Sequence, residues 1–114
     1  MIKSAIEVHR HLGPGLLEST YEECLCFELA QSGIAYRRQV PLAVVYKEVR
    51  LDCGYRVDIA VEQELIVEVK SVERLMPIHD AQVLTYLRLS GYKVGLLMNF
   101  NTLMLKDGLR RFVL

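Results

Sequence analysis

In the stretch Tyr55-Arg56-Val57-Asp58-Ile59-Ala60-Val61-Glu62-Gln63-Glu64-Leu65-Ile66-Val67-Glu68-Val69-Lys70, apolar residues alternate along two runs separated by three polar positions. A period of two is that of a strand with one buried face. With Glu62-Gln63-Glu64 as a three-residue hairpin loop, Val61 faces Leu65, Ile59 faces Val67 and Val57 faces Val69, so one face is wholly apolar. The same register sets Asp58 opposite Glu68 and Arg56 opposite Lys70 on the other face, with cross-strand Cβ atoms about 4.5–5.5 Å apart. A slip of one residue would part the two acids and mix the apolar set, so the hydrophobic pattern itself selects this register.

Two acids side by side repel, and burial raises the pKa of one of them unless a cation lies between. A divalent ion resolves the conflict. Hard oxygen donors with open positions suit Mg2+ or Mn2+, which keep waters and bridge to phosphate oxygens. Lys70, two residues beyond Glu68, shares its face, where an ammonium can orient a water or stabilise charge developing on phosphorus. The plainer alternative is a solvated face on which Arg56 and Lys70 answer the acids as cross-strand ion pairs, each contributing about 0.2–1 kcal/mol.

Outward from this hairpin, Leu42, Val44 and Tyr46 alternate from Val40 onward, and Val49, Leu51, Cys53 and Tyr55 lead into the quoted stretch. Lys47-Glu48 is the tight turn between them, and Gly54 marks a bend or bulge. Toward the N-terminus, Gly13-Pro14-Gly15 separates two helices, over about 4–12 and 17–32; Ser4 with Glu7, and Ser19 with Glu22, have capping-box spacing. Past Lys70, Pro77 opens a helix that runs to Ser90-Gly91, Lys93 to Phe100 reads as a buried strand, and Leu109 to Leu114 as a short last one. The order is α-α-β-β-β-α-β-β.

The 114 residues suit one domain, with 52% hydrophobic and 25% charged residues excluding disordered and fibrous classes. No apolar run is long enough to span a bilayer, so no membrane partner is expected. Cys24, Cys26 and Cys53 are an odd number, which fits a reducing cytoplasm better than a disulfide scaffold. Cys24 and Cys26 lie about 200° apart around a helix and cannot chelate one ion together. Fourteen basic against fourteen acidic residues give zero net charge, so contact with nucleic acid must be local; Arg37, Arg38, Arg56 and Arg74 are the candidates for backbone contacts. Zero charge with a mean hydropathy of +0.20 points to a homo-oligomer, possible already as a dimer. No Gly-rich loop ends in Lys-Ser or Lys-Thr, which rejects a phosphate-cradling P-loop, and neither Ser19 nor Ser71 has an identifiable histidine partner.

Asp58 followed by Glu68-Val69-Lys70 resembles the core motif of the PD-(D/E)XK, or restriction-endonuclease-like, nuclease superfamily, and Gly15-Leu16-Leu17-Glu18-Ser19-Thr20-Tyr21 is similar to the signature of the small GxxExxY family within it. The resemblance extends through His9, Leu12 to Gly15, Gln82 with Tyr86, Val94 to Leu97 and Asn99-Phe100. It implies an α/β single domain, 1–114, with an α-β-β-β-α-β core, a mixed central sheet flanked by helices and an extra short N-terminal helix. It further implies that Glu18 joins Asp58 and Glu68 around Mg2+ or Mn2+, with Lys70, Gln82 and Tyr86 completing the catalytic set, and that the substrate is nucleic acid, DNA before RNA. Against these stand simpler roles: Glu18 as an acid favoured at a helix N-terminus, Gln82 and Tyr86 as an i, i+4 hydrogen-bonded pair, His79 and Asp80 as an ordinary helix-start pair, and His9 and His11 as cations at a helix end. The rival function is a non-cutting nucleic-acid-binding or regulatory module on the same fold.

Overall fold

The protein is described here by a computed structural model covering residues 1–114. Three helices flank one mixed sheet of five strands in the spatial order of the sequence. The elements are α1 (Ile2–Leu12), α2 (Glu18–Gln31), β1 (Tyr36–Tyr46), β2 (Val49–Val61), β3 (Leu65–Lys70), α3 (Pro77–Ser90), β4 (Val94–Asn99), a 3-10 turn (Leu105–Gly108) and β5 (Leu109–Val113). Helix α3 returns the chain so that β4 lies parallel to β3, and all other pairs are antiparallel. This is the expected restriction-endonuclease-like arrangement.

The β2–β3 hairpin has the register read from its pattern: Val61 pairs with Leu65 and Ile59 with Val67 across the loop Glu62-Gln63-Glu64. Lys47 (φ 49°) and Glu48 (φ 68°) form the tight β1–β2 turn, both in the left-handed region that a two-residue hairpin of primed type requires. At Gly54 the register shifts by two residues, Leu42 pairing with Tyr55 and Ala43 with Asp52; its φ of 80° and the bond from its N–H to Asp52 Oδ1 (3.1 Å) build the bulge.

The sheet separates two apolar layers. On one face α1 and α2 pack Ala5, Val8, Tyr21, Leu25 and Leu29 over Ile59, Val67, Val69, Met98 and Phe100. On the other, α3 packs Val83, Tyr86 and Leu87 over Leu42, Ile66 and Leu97. Gly95 is required there, since a Cβ would stand 2.7 Å from Val83 Cγ1.

Several expectations need correction. Val57 does not share the face of Ile59: it packs in the α3 layer, where β3 has left β2 and Gln39, between the pairs Arg38–Ile59 and Val40–Val57, takes φ 50°. Neither capping box forms. Helix α1 starts at Ile2, which puts Ser4 inside it, buried, while Glu7 pairs with Arg10 and His11. Helix α2 starts at Glu18 without a side-chain cap, and Glu22 reaches across to β1 instead. Strand β1 begins at Tyr36, four residues earlier than the alternation indicated, because Arg37-Arg38-Gln39 carries no apolar period.

Candidate active site

Pairing between β2 and β3 stops at Ile59–Val67, one residue short of the two acids. Beyond that point each acid serves the opposite strand's backbone. Val69 N–H donates to Asp58 Oδ2 (2.8 Å), and Asp58 N–H makes a long bond to Glu68 Oε1 (3.4 Å). The carboxylates thus take over ladder bonds, which explains how β2 and β3 part without leaving donors unpaired. Asp58 and Glu68 meet side by side, as the register implies. Arg56 does not pair with Lys70; its cross-strand partner is Pro41 of β1.

The electrostatics follow from this geometry. Glu68 is 2% exposed, and burial first, then the neighbouring Asp58 charge, push its carboxyl up to about 9, while Lys70 pulls the other way. Tyr86 is buried beside the acids, and its hydroxyl pKa is raised by burial despite the bond it accepts from Gln82 Nε2 (3.2 Å). The predicted Gln82–Tyr86 pair therefore forms, and Tyr86 also feels the charges of Glu68 and Asp58.

Glu18 is exposed at the start of α2 and accepts from Ser71 N–H (3.2 Å), just past Lys70. No three His, Cys, Asp or Glu side chains converge closely enough to chelate one ion, so Glu18 stands back from the Asp58–Glu68 pair. Its segment is nevertheless pinned to the site. Ser71 Oγ donates to Leu16 O (2.6 Å), while the Tyr21 hydroxyl donates to Gly13 O (2.5 Å) and accepts from Leu16 N–H (3.1 Å). Gly15, at φ 99°, lets the intervening loop turn. The spacing of Gly15, Glu18 and Tyr21 is thus that of a loop stapled to the end of β3. Tyr21→Phe removes both hydroxyl bonds and keeps the ring stacked on Phe100 (centroids 4.6 Å). Chemical denaturation is expected to show a loss of about 1–3 kcal/mol, and a loss under 0.3 kcal/mol would make the staple ornamental.

The far side of this loop is equally tied. Asn99, buried at the end of β4, holds both Val72 N–H (3.0 Å) and Val72 O (3.0 Å), and Phe100 N–H donates to Lys70 O (2.9 Å). His9 is buried and its Nε2 bonds Thr102 O (2.7 Å), which anchors the last turn of α1 to the segment after β4. His11 stays exposed, 3.0 Å from Glu7. His79 Nδ1 accepts from Met76 N–H (2.9 Å) and caps α3, but Asp80 pairs with Arg110 and not with His79.

One feature escaped the sequence reading. Glu22, 6% exposed, is held by Arg38 (2.9 Å) and Gln39 Nε2 (2.8 Å), and the same amide lies 3.4 Å from Asp58 Oδ1. Arg38 is therefore engaged in an ion pair, not free for a ligand. Arg37, Arg56 and Arg74 are exposed. The three cysteines carry free thiols, and burial raises that of Cys26 to about 11.

The family model for the PD-(D/E)XK nuclease superfamily matches residues 1–112. The chain belongs to this superfamily. Its nucleases generally use divalent metal ions and act on nucleic acids. No match was found among curated proteins or among solved structures. Asp58, three residues before the end of β2, and Glu68, Val69 and Lys70, the last three residues of β3, stand where β2 and β3 part. No helix is long and apolar enough to cross a membrane.

Proposed function

We propose that the protein is a metal-dependent nuclease that hydrolyses phosphodiester bonds, in DNA before RNA, at the site built around Asp58 and Glu68. The observation that carries this reading is a buried acid, Glu68, set against a second acid, Asp58, across the parting of β2 and β3, with the Lys70 charge offsetting Glu68. An unpaired buried charge is costly, so the pair either keeps a proton or takes up a cation. The donors fit Mg2+ or Mn2+: both are carboxylate oxygens, and Asp58 retains partial solvent access through which a phosphate could approach. Such an ion, when bound, supplies positive charge for a phosphoryl oxygen and lowers the pKa of a coordinated water.

The chain's own groups do the rest. Asp58 and Glu68 hold the ion. Lys70 orients the attacking water and neutralises charge gathering on the phosphate. Glu18, held at the start of α2 by Ser71 N–H, would be the third acid of the site. Gln82 and Tyr86 offer an amide and a hydroxyl on the α3 side, where they position the scissile group.

The finer assignment, to the GxxExxY family, is supported by the stapled loop around Gly15, Glu18 and Tyr21. A cytoplasmic setting fits three free thiols. Self-association is supported by the exposed apolar residues Val45, Tyr46, Val49 and Leu51 on the β1–β2 ribbon, since two-stranded ribbons are marginal alone in water; light scattering that returns only monomer would end that proposal.

The function is tested with labelled single- and double-stranded DNA and Mg2+. Wild-type protein is expected to cut at least one of them, and Asp58→Asn to cut neither. Equal product from both proteins would place catalysis elsewhere, and no cutting by wild type with Mg2+, or with Mn2+ in its place, would favour the binding module.

A further inference from the structure

The nuclease reading leaves open how a substrate lies on the protein. The α3 side of the sheet carries two adjoining grooves, of which that reading uses only Gln82 and Tyr86. One, ≈ 340 Å³, is lined by Arg37 of β1, Arg50 of β2 and Arg88 of α3, with Pro41, Leu42 and Tyr92 among its other walls. No Asp or Glu lines it, and none of these three arginines belongs to an ion pair. Two of them bond neutral groups: Arg37 donates to the Tyr92 hydroxyl (3.1 Å) and Arg88 to the Thr85 hydroxyl (3.0 Å). In a chain of zero net charge, this is a local concentration of unanswered positive charge.

The second groove, ≈ 350 Å³, is mostly apolar and shares Leu89 with the first. Val44, Ile78, Tyr55 and Tyr86 line it together with Gln82. Tyr55 is 48% exposed and stands edge-on to Tyr86 (centroids 6.2 Å), and Tyr86 in turn feels the charges of Asp58 and Glu68. The two grooves therefore run on from one another, a tyrosine-lined apolar groove and then three guanidinium groups, and the first begins at Tyr86, which packs over Leu97, the strand partner of Glu68.

We propose that this path binds a single strand of nucleic acid, its bases against Tyr55 and the apolar groove and its phosphates on Arg37, Arg50 and Arg88. Cations alone would suit any polyanion. The apolar, aromatic stretch has a use only for bases that are free to leave a stack, and alternation of guanidinium and aromatic groups is how proteins hold single strands without reading sequence. Each groove has the size class of a single small ligand, which admits one nucleotide and not a duplex. The proposal rests on the nuclease reading for the end of the path at Asp58, but the binding it describes needs neither metal nor cutting.

It is tested by fluorescence anisotropy with labelled oligo(dT) and with a blunt duplex of equal length, in EDTA, across a salt series. Wild type is expected to bind the single strand at least about tenfold more tightly than the duplex. The triple variant Arg37→Gln, Arg50→Gln, Arg88→Gln is expected to lose about 2 units of the slope of log affinity against log salt. Tyr55→Ala is expected to weaken binding about tenfold with the slope retained. Arg111→Gln, on β5 at the opposite sheet edge, serves as a folded control that keeps the affinity. Unchanged binding by the triple variant, equal affinity for the duplex, or displacement of oligo(dT) by polyaspartate of matched charge would each overturn the proposal, whether or not the protein cuts.

Discussion

Between pH 5 and 9 the metal-free protein is expected to lose folding stability as the pH rises, with Glu68 contributing about 1.4 kcal/mol per pH unit. The sign follows from the direction of its shift. An unfolded glutamate titrates near 4.5, whereas in the folded protein burial and Asp58 hold Glu68 protonated up to about 9. Between those values the native state binds one proton more than the unfolded state, so raising the pH pulls the equilibrium toward unfolding. Below 4.5 both states are protonated and the effect vanishes; above 9 the full penalty is present. Cys26, raised to about 11, and Tyr86, raised from 10, titrate above this window. Glu68→Gln keeps the shape without the ionisable proton. Denaturant titrations should find it more stable than wild type at pH 8, with the pH slope removed, and Mn2+ should flatten the wild-type slope but not affect the variant. Parallel slopes for the two metal-free proteins would show that Glu68 is ionised and solvated in the native state.

The second large effect falls on Lys70. Its side chain is half-buried beside Glu68, at the last position of β3, and Lys70→Met preserves the aliphatic stem while deleting the charge. Cleavage with Mg2+ is expected to fall about 10²–10⁴-fold, the range for losing a group that moves a proton or stabilises developing charge. Metal affinity should be retained, because the ligands are the acids. Asp58→Asn should instead lose both metal affinity and cleavage. The contrast separates roles: a Lys70→Met protein that fails to bind metal, or cuts within threefold of wild type, would remove Lys70 from the chemistry.

The hairpin from Tyr55 to Lys70 was legible because burial on one face forces a period of two, and a single register satisfies it. That register alone brings Asp58 and Glu68 together. The same logic could not see that pairing ends at Ile59, because the acids themselves replace the missing ladder bonds, nor that Val57 joins the opposite layer. Short spacing rules misled at Ser4–Glu7 and Ser19–Glu22, where tertiary partners claim the side chains: Glu22 is 16 residues from Arg38, a contact no local pattern announces. Gln39 was invisible for a related reason. Its positive φ and its reach to both Glu22 and Asp58 depend on where two strands diverge, not on its neighbours in sequence. The arginines were singled out by type alone, and the fold re-sorts them: Arg38 is neutralised, whereas Arg50 and Arg88 join Arg37 in one groove.

Titration calorimetry with Mn2+ at pH 7, repeated in two buffers of different ionisation enthalpy, interrogates the paired acids directly. Wild-type protein should give a saturable isotherm accompanied by release of a proton, since the ion displaces the one Glu68 holds, and Glu68→Gln and Asp58→Asn should give none. No binding by wild type at millimolar Mn2+, or an isotherm that survives in both variants, would contradict a metal site at Asp58 and Glu68.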